Sequence, residues 1–180
     1  MLLSETMLNY VIRPAEESDL TAITDIYNEA VIRGGASADL EPVSREVRRA
    51  WVDSHQPREQ YPVVVIDVTD EATGETVTAG FGSLSKFHPR AGYDGIAELS
   101  YYIAARFHGQ GLGTAMVDWL LQAAVERGFH HATTIIYADN AGSVALMRHF
   151  GFTRFGVLPA AVKVVGDNEL HDMSYWFKTL

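Results

Sequence analysis

A glycine-rich segment near the middle of the chain has the composition of an anion-binding loop. Residues 106–114 read RFHGQGLGT, between a predicted strand that ends near Ile103 and a predicted amphipathic helix that begins near Leu112. Glycines let main-chain N–H groups point at one spot without interference from Cβ atoms. The first N–H groups of the helix lack helical partners and lie at the positive end of its dipole. The segment therefore predicts a phosphate-binding loop that needs no lysine.

Two better-known glycine loops are excluded by their own sequence rules. A Walker A loop ends in Gly-Lys-Ser/Thr, whereas Gly113 is followed directly by Thr114. The dinucleotide fingerprint is G-x-G-x-x-G, whereas Gly109, Gly111 and Gly113 form G-x-G-x-G. A strand-to-helix turn that binds no ligand remains the alternative interpretation of this segment.

The predicted strand before the loop carries a candidate general base. Glu98 lies in the small and apolar sequence GIAELS (95–100), where partial desolvation would raise its pKa. Strand alternation equally allows an exposed Glu98 with no chemical role. Tyr101 and Tyr102 should point to opposite faces, so at most one of them can reach a leaving group. Aromatic packing is the simpler role for either tyrosine.

Polar residues elsewhere have simpler explanations beside the functional ones. Asn140 and Ser143 begin a short predicted helix, where capping is the first explanation for both. Arg90, in the segment KFHPRAGY (86–93), is either a bidentate carboxylate ligand or a solvated surface residue.

The histidines at 130, 131, 149 and 171 lack the spacing of metal ligands, so no metal site is predicted. We expect His130 and His131 to form a solvated turn, and His171 and Asp172 to form a structural pair.

The overall composition restricts the kinds of partner that this chain can have. Its 180 residues include 14 Lys and Arg against 23 Asp and Glu, a net charge of −9. That charge argues against nucleic acid and anionic membranes as partners. The chain has no cysteine, which fits a reducing cytoplasm and excludes disulfides, thiolate metal sites and cysteine nucleophiles. Neither a signal peptide nor an apolar run of about 18 residues is recognisable.

Hydrophobic periodicity predicts the element order β-α-α-β-β-β-α-β-α-β-β. Hairpins come first and a strand–loop–helix–strand unit follows, which favours one mixed α/β sheet with helices on both faces. We expect one domain over residues 7–180 and a short N-terminal extension over residues 1–6. The C-terminal part is expected to contain strand-like segments at 155–158, 161–165 and 171–177, with a turn at 166–168.

Several segments together resemble a known family. Residues 108–113 (HGQGLG) resemble the (Gln/Arg)-x-x-Gly-x-(Gly/Ala) acetyl-CoA loop of the GNAT N-acetyltransferase superfamily. The segments IRPA (12–15), IYNEAV (26–31), ELSYYI (98–103) and NAGSVAL (140–146) resemble its phosphinothricin and methionine sulfone acetyltransferase branch. The chain departs from this pattern at His108, where Gln or Arg is usual, at Met147, often His in that branch, and over residues 162–170.

The resemblance implies a GNAT-like central mixed sheet and direct acetyl transfer from acetyl-CoA in a ternary complex. The acceptor it implies is the α-amino group of a small amino-acid-like compound, and relatives of this branch imply a homodimer. The implied catalytic residues are Glu98, as the base, and Tyr102. Those implied to bind the cofactor are Tyr101, Tyr102, Ile103, His108, Gly109, Gln110, Gly111, Leu112, Gly113, Thr114, Asn140 and Ser143. Those implied to bind the substrate are His88, Arg90, Tyr93, Glu98 and Ser100.

Two other functions stay open at this point. One is acetylation of a protein or peptide N-terminus, which a wide, acidic acceptor groove would favour. The other is a non-catalytic acyl-CoA-binding module, which the departures at His108 and Met147 leave possible.

Overall fold

The strands and helices follow the predicted order. The computed structural model describes residues 8–180, so the predicted extension over residues 1–6 and the domain start at residue 7 lie outside the described residues. The strands are β1 (Asn9–Pro14), β2 (Val63–Thr69), β3 (Thr76–Lys86), β4 (Ile96–Ile103), β5 (His131–Tyr137), β6 (Thr153–Lys163) and β7 (Leu170–Thr179). The helices are α1 (Leu20–Arg33), α2 (Arg45–Asp53), α3 (Leu112–Glu126) and α4 (Ala141–His149).

The strands form one sheet in the order β1-β2-β3-β4-β5-β7-β6. Neighbouring strands are antiparallel except β4 and β5, which are parallel. Helices α1 and α2 pack on one face through Ile23, Tyr27 and Trp51, and α3 and α4 pack on the other through Met116 and Met147. The predicted mixed α/β sheet with helices on both faces is confirmed.

Strands β4 and β5 pair over only a short stretch, which opens a gap between them. Ile96 to Glu98 pair with His131 to Thr133, and the strands form no further backbone pairs beyond that point. The carbonyl of Leu99 instead accepts a hydrogen bond from the Thr134 hydroxyl at 3.1 Å. The rest of β4 therefore faces the gap without a strand partner on that side.

The main-chain groups that face this gap follow from the alternation of the strand. The N–H of Ala104 donates to the carbonyl of Ala79 in β3, at 2.8 Å. Since successive residues of a strand direct their main-chain groups to opposite sides, Tyr101 and Ile103 direct theirs away from β3. Their N–H groups thus face the gap toward β5.

The C-terminal hairpin differs from expectation in two details. The predicted strands at 155–158 and 161–165 are one continuous strand, β6, with register shifts that absorb the irregular segment. At one shift Ala160 has a φ of 48°, and its N–H donates to the Asp172 carboxylate at 2.8 Å. The predicted pair of His171 with Asp172 is therefore wrong, because the Asp172 side chain holds the bulge.

Candidate functional site

A cavity of about 720 Å³ lies above the gap between β4 and β5. Its walls are the glycine loop, the end of β4, the start of α4 and the segment that follows α1. The fold thus brings together residues 101–103, 108–109, 111–113 and 140–143, which the sequence analysis selected. Gln110 and Thr114, also predicted to bind the cofactor, are not in the cavity wall.

The glycine loop presents free main-chain donors to this cavity. Gly109 and Gly111 have φ values of 74° and 83°, the left-handed region that favours glycine. A Cβ at either position would meet no atom within 4 Å, and both glycines line the cavity. Within residues 8–180, none of the N–H groups of residues 109–114 has a hydrogen-bond partner in the protein. The loop is therefore an open cradle that fits a diphosphate such as that of coenzyme A.

The polar side chains of the loop stabilise its shape. The imidazole of His108 donates from Nε2 to the Ile103 carbonyl at 2.7 Å, and the amide of Gln110 donates to the Arg106 carbonyl at 3.0 Å. Both contacts join the loop to the end of β4 and the turn after it. The anion-binding capacity of the loop consequently rests on its main chain.

The start of α4 forms a second wall, and its capping differs from the prediction. Asn140 is the N-cap residue, and its Oδ1 accepts the Ser143 N–H at 3.1 Å while Nδ2 donates to the Gly35 carbonyl at 3.2 Å. The prediction that Ser143 is a capping residue is wrong. Its N–H is the group that is capped, and its hydroxyl oxygen accepts from the Tyr101 hydroxyl at 3.2 Å.

Tyr101 and Tyr102 lie on opposite faces of β4. The ring of Tyr102 contacts Tyr27 edge-on at 5.2 Å and stacks on Phe81 at 5.3 Å, measured between ring centroids. Burial raises the pKa of both β4 tyrosines, most strongly for Tyr102. Both hydroxyls are therefore protonated at neutral pH.

A smaller cavity of about 280 Å³ adjoins the first. The two cavities share Tyr101, Tyr102, Asn140 and Ser143 in their walls. Ser100, a predicted substrate-binding residue, lines the smaller cavity. The two cavities therefore adjoin each other, the larger one at the glycine loop and the smaller one at Ser100.

Glu98 lies two residues before Ser100, on the same face of β4. Burial alone raises the pKa of its carboxyl group. Within residues 8–180 this carboxyl forms neither a hydrogen bond nor an ion pair. Such a carboxylate can accept a proton near neutral pH.

The other predicted substrate-binding residues lie outside both cavities. His88, Arg90 and Tyr93 belong to the loop between β3 and β4, where Arg90 and Tyr93 are exposed. The Nδ1 of His88 accepts the Arg90 N–H at 3.2 Å, and the rings of His88 and Tyr93 lie 4.6 Å apart. Of the five predicted substrate-binding residues, Ser100 is in the wall of a cavity, whereas His88, Arg90, Tyr93 and Glu98 are in the wall of neither.

Arg48 is a buried cation that the sequence analysis missed. It lies on α2 with only 4% of its surface exposed, and its Cζ is 3.5 Å from the centroid of the Tyr27 ring and 4.8 Å from that of Trp51. The one signal in the sequence is its spacing of three residues from Trp51, which places both on the same side of a helix. That signal alone does not distinguish an inward Arg48 from its neighbours Arg45 and Arg49.

His171 joins two loops at the rim of the larger cavity. Its Nδ1 and Nε2 contact the carboxylates of Asp139, at 2.7 Å, and Asp167, at 3.0 Å. These two hydrogen bonds raise the pKa of His171 above its ordinary value. The protonated imidazole can donate to both carboxylates at once and so connects the β5–α4 and β6–β7 loops.

This arrangement predicts a pH-dependent contribution to stability. The folded-state pKa is raised, so the contribution is fully present below the unfolded pKa of about 6.5 and is lost as pH rises through the folded value. We expect His171→Gln to lower the melting temperature at pH 6 and to have little effect at pH 9. Thermal denaturation at both pH values measures the difference. His149→Gln, at the exposed end of α4, is the control, and equal losses at both pH values would contradict the prediction.

Residues 8–180 show neither a cluster of metal ligands nor a membrane-spanning helix. No group of three or more His, Cys, Asp or Glu side chains in this range could hold a metal ion. None of the helices in the described part of the chain combines the length and apolar character needed to cross a membrane.

Comparison with known proteins gives consistent results. The sequence model of a family described as an acetyltransferase (GNAT) domain matches residues 9–153. The chain is 34% identical over 148 residues to the L-methionine sulfoximine/L-methionine sulfone acetyltransferase of Pseudomonas aeruginosa. The aligned residues make up 82% of this chain and 83% of that protein.

Solved structures resemble the fold over nearly its whole length. A phosphinothricin acetyltransferase from Sinorhizobium meliloti in complex with AcCoA has a TM-score of 0.83 and 29% identity, covering 95% of this chain and 88% of that one. A ribosomal-protein-alanine N-acetyltransferase from Brucella melitensis has a TM-score of 0.82 and 34% identity, covering 94% of this chain and 99% of that one.

Proposed function

Because this chain belongs to the GNAT acetyltransferase family, we propose that it transfers an acetyl group from acetyl-CoA to the α-amino group of a small amino-acid-like acceptor. The observation that carries the proposal is that the cavity at the free N–H groups of the glycine loop adjoins the smaller cavity lined by Ser100. Similarity to methionine sulfone and phosphinothricin acetyltransferases supports the acceptor class.

The two cavities provide a binding surface for acetyl-CoA. The free N–H groups of the glycine loop and the start of α3 hold the diphosphate. When bound, acetyl-CoA supplies an activated acetyl thioester. The N–H groups of Tyr101 and Ile103 face the gap beside β4, where they can donate hydrogen bonds to a carbonyl oxygen and to developing negative charge on it.

Glu98 removes the proton that an amino acid carries on its amine at neutral pH. An ammonium group has no lone pair, so the acceptor must lose a proton before it can attack. The buried carboxylate of Glu98 has a raised pKa and no competing ion pair, which suits it for this step. It takes the proton directly or through one water molecule.

The departing sulfur requires a proton donor or a stabilising hydrogen bond. We propose Tyr102, which lines both cavities and whose hydroxyl is kept neutral by burial. Its hydroxyl donates a long hydrogen bond of 3.4 Å to the Ala36 carbonyl. Tyr101 is the alternative, and its hydroxyl donates to that of Ser143 at 3.2 Å. The chain has no cysteine for a covalent acyl-enzyme, which is compatible with direct acetyl transfer.

A test of the function compares acceptors in one assay. Thiol release from acetyl-CoA is followed with methionine sulfone, methionine sulfoximine, phosphinothricin and a short peptide that begins with alanine. We expect turnover with at least one of the amino-acid-like compounds. Turnover with the peptide alone would establish the N-terminal acetyltransferase function, for which the similarity to the Brucella melitensis enzyme is the argument. Binding of CoA without turnover of any acceptor would establish a binding module.

We also propose that two copies of the chain associate through the outer half of the sheet. Helix α1 packs on β3 and β4, and the β5–β7–β6 part of the same face carries exposed apolar residues. Phe155 is 56% exposed and lies 6.2 Å from Tyr175 and 5.8 Å from Phe177, measured between ring centroids. An apolar patch of this kind is typical of an interface. Light scattering of the native protein and of Phe155→Asp is expected to give a dimer and a monomer.

The proposed location of the enzyme is the cytoplasm. The absence of cysteine is compatible with a reducing compartment, and acetyl-CoA is a cytoplasmic metabolite in the reaction proposed here. Cell fractionation with an antibody against the chain tests this location.

A further inference from the structure

We propose that Arg48 binds the carboxylate group of the acceptor, an assignment that rests on the proposed transfer to an amino-acid-like compound. For this task the sequence suggested Arg90, which lies on an exposed loop. Neither arginine lines a cavity wall, but Arg48 contacts Tyr27, which lines the smaller cavity together with Ser100 and Tyr102.

Arg48 has no anionic partner among residues 8–180. Only 4% of its surface is exposed, and its guanidinium forms no ion pair and no hydrogen bond within residues 8–180. Its Nε is fully buried and has no acceptor. Arginine stays charged and carries five N–H donors, and buried charges in proteins are normally paired.

The aromatic contacts of Arg48 do not replace that partner. Its guanidinium stacks over Tyr27 and lies near Trp51, and such cation–π contacts offset part of the cost of burial. The N–H bonds of a guanidinium lie in its plane, and within residues 8–180 none of those of Arg48 has an acceptor. The donors therefore remain available to a planar anion, and a carboxylate matches their fork in a bidentate pair.

Arg48 contacts a wall of the smaller cavity. Tyr27, on which Arg48 stacks, lines that cavity together with Tyr102 and Ser100. Glu98 lies on the same face of β4, two residues before Ser100. A free amino acid needs a base near its amine and a cation near its carboxylate, and this face of the fold supplies one of each.

The carboxylate of Asp39, in the wall of the smaller cavity, also favours an acceptor whose carboxylate points toward Arg48. Asp39 lines the cavity and accepts a hydrogen bond from the Tyr27 hydroxyl at 2.6 Å. It forms no ion pair with Arg48. Its negative charge repels an acceptor carboxylate, which is thereby directed toward Arg48.

The test compares an acceptor with and without its carboxylate. Thiol release is measured with L-methionine sulfone and with its carboxamide, in which the anion is replaced by a neutral amide of similar shape. The native enzyme is expected to prefer the carboxylate by at least about 30-fold in kcat/KM, the discrimination typical of a buried charged pair. Equal turnover of both compounds would overturn the assignment without any variant, whereas turnover of neither would instead contradict the proposed function.

Variants then identify the residue responsible. Arg48→Met is expected to reduce the preference to below about 3-fold, mainly by raising KM for the carboxylate, since the carboxylate lies away from the reacting atoms. Arg49→Met is the matched control, because Arg49 follows on the same helix and is exposed beside Glu17. A collapse of the preference in Arg90→Met, with the preference intact in Arg48→Met, would overturn the proposal.

Folding of the variant is checked independently of activity. Calorimetric CoA affinity within about 3-fold of the native value shows that the fold is intact, because this site is built from other residues. If Arg48→Met does not fold, Arg48→Lys keeps the charge and loses the fork, and the preference should fall about 10-fold. A folded Arg48→Lys with the full native preference would also overturn the proposal.

Discussion

Glu98→Gln lowers kcat by about 100- to 10,000-fold, the usual contribution of a general base, and leaves CoA affinity unchanged. Gln has the shape of Glu and cannot take a proton from the acceptor ammonium. We also expect the substitution to change the pH profile of kcat/KM. Burial raises the pKa of Glu98, so the native kcat/KM should fall as pH decreases through that raised value. The variant should lack this acidic limb.

Glu98→Gln should lower activity without lowering the stability of the fold. A carboxyl group whose pKa is raised in the folded state favours the protonated form, so ionised Glu98 reduces the free energy of unfolding as pH rises through that pKa. Above it, Glu98→Gln is expected to be at least as stable as the native protein. Glu71→Gln, in the exposed turn between β2 and β3, is the control. Native kcat and an unchanged pH profile in Glu98→Gln would remove Glu98 from the mechanism.

Gly111→Val weakens CoA binding by at least about 100-fold. The new side chain has no protein atom within 4 Å of its Cβ and projects into the cavity that the loop lines. There it blocks close approach of a diphosphate to the N–H groups of the loop. Isothermal titration calorimetry with CoA measures the loss.

Backbone strain must be separated from this steric effect, and the same helix offers the control. Gly128 follows the C-terminal end of α3 with a φ of 77°, close to the 83° of Gly111, and a Cβ there also meets no atom within 4 Å. Gly128→Val should therefore lose similar stability, since a left-handed conformation costs L-residues about 1–2 kcal/mol or more. It should bind CoA normally. Equal CoA affinities for the two variants would show that the glycine loop does not bind the cofactor.

The sequence predicted best what lies on contiguous segments. The glycine loop, the strand with Glu98 and the helix start at Asn140 could be identified because each motif supplies its own local geometry. The element order and the mixed sheet followed from hydrophobic periodicity for the same reason. The site roles remain proposals, because the fold explains where these residues lie and not what they bind.

The sequence did not predict features that depend on contacts between distant segments. Arg48 faces inward because α2 docks on Tyr27, and nothing within α2 itself separates this arginine from the exposed Arg45 and Arg49. His171 finds its partners on two different loops, so its nearest sequence neighbour, Asp172, was a misleading choice. His88 and Tyr93 were selected as part of a segment, and neither residue lines a cavity.

The short pairing between β4 and β5 also bears on how the molecule moves. Only three residues of each strand connect the half of the sheet that begins the chain with the half that ends it. Local opening in proteins concentrates where backbone pairing is sparse, so this junction is where the two halves can flex against each other. A coenzyme held along the gap bridges them, and deuterium uptake at the amides of Tyr101 and Ile103 would then slow in its presence.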